Sequence, residues 1–172
     1  ALGLCVAPMV VFIGGIIGSA LAPRVELATL PVAFLVIGTA LSVLPVTRLM
    51  QSFGRKRVFI FGAIFSAIAA LLAASAISQR SFWGFTVSVS MMGVSLAVIQ
   101  QYRFAAMESV LPEQMASAAS FVLLGGLVAA ILGPELAQVG ENIFETSFSG
   151  SFFLLAFVCL LSAFCLLFYR PP

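Results

Sequence analysis

Between Arg57 and Arg80 the chain runs through more than twenty residues without a charge, and uncharged runs of twenty or more recur from Phe82 to Tyr102, from Met115 to Pro134 and from Thr146 to Tyr169. A helix of about 20 apolar residues crosses the ~30 Å hydrocarbon layer of a bilayer. Lys, Arg and Glu are confined almost entirely to the short links between such stretches. A soluble domain averages roughly 25% charged residues. This chain has 8% charged and 62% hydrophobic residues, too little polar surface for one soluble core. The pattern predicts an all-α membrane protein, a bundle of six transmembrane helices forming one domain over residues 1–172.

Hydropathy and helix breakers together place the spans near Leu2–Leu21, Ala28–Val46, Val58–Ser78, Phe82–Tyr102, Ser117–Ala137 and Phe148–Tyr169. Short links then force consecutive helices to lie antiparallel. Leu2–Leu21 lacks a basic flank and further spans follow it, so it reads as a span and not as a cleaved leader. Arg48, Arg55, Lys56, Arg57, Arg103 and Arg170 fall on one side, against Arg24 and Arg80 on the other. That bias puts the second-to-third link, the fourth-to-fifth link and both termini in the cytoplasm, with a bacterial inner membrane as the expected location. Trp83 and Tyr169 fall at span ends, where amphipathic rings anchor. Cys5, Cys159 and Cys165 lie in apolar runs and read as small buried hydrophobes. With no His in the chain, a His-based metal site or triad is excluded, and no cofactor is expected. The basic residues sort by membrane side and not along one face, so nothing points to nucleic acid.

Small residues four apart recur as Gly14 with Gly18, Gly38 with Ser42, and Ala129 with Gly133. Such pairs let helix backbones approach closely where lipid supplies no hydrophobic drive between helices. Pro8, Pro31, Pro45 and Pro134 fall within or near span ends. Gly38 with Pro45 in the second span and Gly126 with Pro134 in the fifth form a faint internal echo. A three-plus-three inverted repeat would place those spans in equivalent positions, though two such pairs do not establish one.

The second-to-third link reads Thr47-Arg48-Leu49-Met50-Gln51-Ser52-Phe53-Gly54-Arg55-Lys56-Arg57. It resembles the signature of the major facilitator superfamily, G-x-L-x-D-R-x-G-R-R/K, in the same link. Leu49, Gly54, Arg55 and Lys56 match that pattern, while Thr47, Gln51 and Ser52 replace its first glycine, its aspartate and its first arginine. The stretch from Arg103 to Gln114 is similar to the family's acidic residue, short apolar step, then Pro and Glu, here Glu108, Pro112 and Glu113. Gly133-Pro134 loosely resembles the antiporter motif of the fifth helix. The resemblance implies the six-helix N-terminal half of a twelve-helix secondary transporter. It also implies a missing C-terminal half as partner, a small-molecule substrate in the cavity between the halves, and membrane lipids around it. In that family the second-to-third link latches the halves together in one state of the cycle. Here the acidic member of the latch is Gln51, which carries no charge.

The physics of that link stands apart from the resemblance. Gly54 permits a tight turn with positive φ. The successive cations Arg55, Lys56 and Arg57 can meet lipid phosphates, helix C-terminal carbonyls or a nearby carboxylate, with Glu108 on the same side. A plain topology anchor is the competing reading. Gln100, Gln101, Tyr102 and Arg103 form the densest polar cluster in or beside a span, with Gln100 and Arg103 on one helical face and Gly93 two turns back. One reading has Gln100, Gln101 and Arg103 contacting a polar or anionic substrate, in a concave face where Gly14, Gly15 and Gly18 of the first span leave room. The other has Arg103 as an end-of-helix cation reaching lipid phosphates. Glu135, beside Gly133-Pro134, is a coupling candidate or a solvated acid, and Gly126 a bending point. Phe152, Phe153, Phe157, Phe164 and Phe168 read as lipid-facing or packing surface.

A secondary transporter is therefore the expected function. A non-transporting scaffold or sensor of the same fold is the alternative. An intramembrane enzyme lacks support, because the spans offer no His, no paired acids and no Cys/His spacing.

Overall fold

The computed structural model describes residues 2–141 and 148–168. Its α-helices are α1 (Val6–Leu21), α2 (Leu30–Phe53), α3 (Arg55–Ser78), α4 (Phe82–Ile99), α5 (Tyr102–Glu108), α6 (Met115–Glu141) and α7 (Ser149–Leu167). A 3-10 turn at Leu2–Cys5 leads into α1, and α4 with α5 makes one span. Six stretches are long and apolar enough to cross a membrane, and no strand occurs among the described residues. This is a multi-pass helical membrane protein.

Helix ends and membrane boundaries differ, and this corrects the expected links. The segment Thr47–Arg57 is not a loop: α2 continues to Phe53 and α3 starts at Arg55, leaving Gly54 alone between them. Gly54 has φ 82° and ψ 149°, a conformation that favours residues without a Cβ. The expected Arg103–Ala116 link likewise holds α5 and the 3-10 turn Pro112–Gln114, and α6 runs past Ala137 to Glu141. Charges mark where hydrocarbon ends, but a helix continues into water as long as its backbone bonds are kept. The remainder of the fifth-to-sixth link, Tyr169 and Arg170 lie outside the described residues.

The central helices are α3 and α4, with about 56% and 61% of their apolar windows buried, against 17% for α2 and 6% for α6. Met9 and Ile13 of α1, Phe85 and Met92 of α4, and Phe152 and Leu155 of α7 are fully buried in one core. Phe85 and Phe152 meet edge to face at 5.7 Å. Alanines 67, 69, 70, 73 and 74 make α3 thin enough to pack closely on both α4 and α7. The expected small-residue contacts are realised as backbone approaches. A Cβ on Gly38 would strike the Ser90 carbonyl, and one on Gly93 would strike Leu35 O and Thr39 N, so α2 and α4 interlock reciprocally. Gly18 lies against the Ala28 carbonyl, and Gly133 against Met9 N and Pro8. Phe152 is core, while Phe153, Phe157, Phe164 and Phe168 are exposed on the outer face of α7.

Candidate functional site

At one end of the bundle lie the start of α1, the end of α4, α5, and the first half of α6. Gln100 and Gln101 form a turn between α4 and α5: Gln100 N still donates to Leu96 O at 3.0 Å, but Gln101 N donates to Val98 O at 3.1 Å, three residues back. The continuous face expected from Gln100 through Arg103 is thus interrupted. Both side chains still border one concavity of about 200 Å³, with Leu4, Ile99, Val122, Leu123 and Gly126 completing its wall. Gln100 and Arg103 are exposed there. The Arg103 guanidinium carbon lies 4.9 Å from the centre of the Phe104 ring, a cation–π contact that biases the side chain's direction. Gln101 is half-buried and not among the lining residues.

The partners of this concavity differ from those expected. Leu4 is the contribution of the first span, and the glycines lie elsewhere. Gly14 packs beneath Val32, Gly18 against Ala28, and only Gly15 has open space beside it. The reason is axial distance. Antiparallel packing puts the end of α4 beside the start of α1, and Gly14 lies ten residues farther along, about 15 Å. Gly93 is buried against α2 and does not extend the polar face. Leu4, Val122 and Leu123 were missed because apolar lining carries no signal in a chain that is apolar throughout. Gly126, a bending point by sequence, faces Leu4 across the concavity, with the Leu4 side chain 3.8 Å from where a Cβ on Gly126 would stand.

At the same end, the successive cations at the start of α3 take different partners. Arg55 Nη2 donates to Glu108 Oε1 at 2.6 Å, tying α3 to α5 in an ion pair that water reaches from one side. Arg55 Nη1 is buried with no hydrogen-bond partner among the described residues. Lys56 Nζ donates to the Leu167 carbonyl at 2.7 Å, capping the last turn of α7 where backbone carbonyls lack helical partners. Arg57, Arg48 and Gln51 are exposed. Tyr102 stacks edge-on against Phe59 at 4.8 Å, locking the start of α5 to α3. Farther along α6, Glu135 is exposed and Pro134 sits inside an uninterrupted helix. Among the described residues no group of His, Cys, Asp and Glu could hold a metal ion.

A family model described as Major Facilitator Superfamily matches residues 2–172. The chain belongs to that superfamily. A superfamily match over this length agrees with six apolar spans. Over its whole length the chain is 38% identical to a riboflavin transporter of Brucella anthropi, covering 44% of that protein. It is 28% identical to an uncharacterised MFS-type transporter of Bacillus subtilis, over 94% of this chain and 39% of that one. A second uncharacterised MFS-type transporter of Bacillus subtilis is 23% identical, over 93% and 38%. The chain therefore spans less than half the length of the curated relatives it matches. No solved structure matches it.

Proposed function

We propose that this chain is one wall of a secondary transporter that moves a small solute by alternating access, and that riboflavin or a related flavin is that solute. The observation that carries this reading is the 38% identity, along the whole chain, to a protein named as a riboflavin transporter. A second six-helix half is the proposed partner, in keeping with relatives more than twice as long. The poorly buried α2 and α6 are the helices with surface to offer it. The side bearing Arg48, Arg55, Lys56, Arg57 and Arg103 is proposed to be cytoplasmic, in a bacterial inner membrane.

In this reading Gln100 and Arg103 serve the substrate on its route. A flavin ring system presents carbonyl acceptors and an imide N–H along one edge. The Gln100 amide can both accept and donate, and the Arg103 guanidinium donates through a planar fork. Leu4, Val122 and Leu123 offer an apolar surface for the flat ring. The Arg55–Glu108 pair is proposed as part of the latch that holds one state, with Gln51 unable to add a charge to it. Gly126, Gly133 and Pro134 are proposed as the places where α6 bends, and Glu135 as a coupling acid.

The test is uptake of labelled riboflavin by cells that lack their own route and express the complete protein. Uptake is expected with the unsubstituted protein. Gln100→Leu and Arg103→Lys are each expected to lower it by up to about tenfold, the worth of one hydrogen bond to the substrate, with unchanged amounts of protein in the membrane. No riboflavin uptake would remove the substrate. Normal uptake by the double variant would return Arg103 to the role of a headgroup anchor.

A further inference from the structure

The three consecutive cations that open α3 do not share one fate. Arg55 is spent on the Glu108 carboxylate and Lys56 on the Leu167 carbonyl. Arg57 is exposed and has neither an ion pair nor a hydrogen bond through its side chain to any described residue. It stands instead at the mouth of an apolar groove of about 430 Å³, formed by Leu49 and Phe53 of α2 with Val58 and Phe61 of α3. Leu49 and Phe53 are four apart, as are Arg57 and Phe61, so each pair presents one helical face to the groove. Along α3 the cation lies at the helix start, and Phe61 four residues deeper, about 6 Å. The apolar track continues past the groove, because the Phe61 and Phe65 rings stack at 6.1 Å with 19° between their planes. Phe53 and Phe61 are 59% and 65% exposed, so the six spans of this chain leave the groove uncovered.

From this arrangement we infer that the groove between α2 and α3 is a binding site for one acidic phospholipid, with its phosphate on Arg57 and an acyl chain along Leu49, Phe53, Phe61 and Phe65. Charge complementarity selects the occupant. A cation at the helix end, with an apolar channel running from it towards the bilayer interior, matches an anionic headgroup joined to a hydrocarbon chain. A soluble anion would leave the channel empty, and a zwitterionic lipid would bring an ammonium beside Arg57 along with its phosphate, whereas an acidic lipid brings a net negative charge. Guanidinium suits the task because its planar donors engage two phosphate oxygens at once. Arg48 lies exposed on the other flank of Leu49 and adds positive potential near the same headgroup level. Its lining shares no residue with the concavity at Gln100 and Arg103, so it does not depend on which solute is transported.

The test uses the complete protein with a photoreactive benzoylphenylalanine in place of Phe61, in phosphatidylcholine membranes with or without phosphatidylglycerol. Adducts are read by mass after illumination. The expected product is a lipid adduct in which phosphatidylglycerol is favoured over phosphatidylcholine, relative to their proportions, by about fivefold for one cation near the surface. That preference should vanish in Arg57→Gln and survive in Arg57→Lys. Three results would each overturn the site: equal labelling by the two lipids, a preference untouched by Arg57→Gln, or an adduct to another segment of the protein. The lipid competition in the unsubstituted-Arg57 protein decides the matter even if Arg57→Gln should fail to insert.

Discussion

Arg55 and Glu108, 53 residues apart in the chain, meet at 2.6 Å and hold the start of α3 to the end of α5. The Arg55 side chain is 31% exposed and that of Glu108 52%, so water and salt screen the pair. It sits where α4 and α5 hand the chain over to α6, next to the wall that carries Arg103. Its value therefore lies in placing that turn more than in holding the bundle together.

For stability, a double-mutant cycle between Arg55→Ala and Glu108→Ala in the complete protein should give a coupling of at most about 1 kcal/mol. Thermal unfolding in detergent at low and high salt would measure it, and added salt should reduce it. A coupling several times larger would mean that the pair is shielded from water by a segment absent from these residues.

The reciprocal glycines of α2 and α4 give a stronger expectation. A Cβ at Gly93 would collide with Leu35 O and Thr39 N, both backbone atoms that cannot swing aside. Gly93→Ala should therefore destabilise the fold by about 1–3 kcal/mol, as forced overpacking does. Gly15→Ala is the matched control, since nothing lies within 4 Å of its would-be Cβ. Comparing melting temperatures of the two variants checks this, and equal melting would refute the interlock.

Orientation can be read by cysteine labelling. Cys165 is exposed and should first be replaced, whereas Cys5 and Cys159 are buried. A cysteine at Ser52, exposed at the end of α2, should be labelled only from the cytoplasmic side. One at Gln79 should be labelled only from the other. Gln79 is the better outer probe than Ser81, whose hydroxyl accepts from Gly84 N at 3.2 Å and caps α4. Labelling of both from one face would overturn the six-span topology.

What the sequence determined by itself was whatever the bilayer dictates to a one-dimensional chain. Uncharged runs of span length, the placement of Lys and Arg, and the need for a glycine between Phe53 and Arg55 follow from hydrocarbon thickness and backbone sterics, and each is read locally. The contact of Glu108 with a cation at the start of α3 was foreseeable in kind, from both links lying on one side. Tertiary structure alone decided which cation it was, and that Lys56 would cap α7 instead. It also decided that Arg103 shares a concavity with Leu4 and Gly126 and not with Gly14 and Gly18. In a chain apolar on almost every face, hydropathy tells a helix that it must cross, but not which side it turns inward. That choice is made by steric fit between backbones, such as Gly38 on Ser90 and Gly133 on Met9, and such fit exists only once the helices meet.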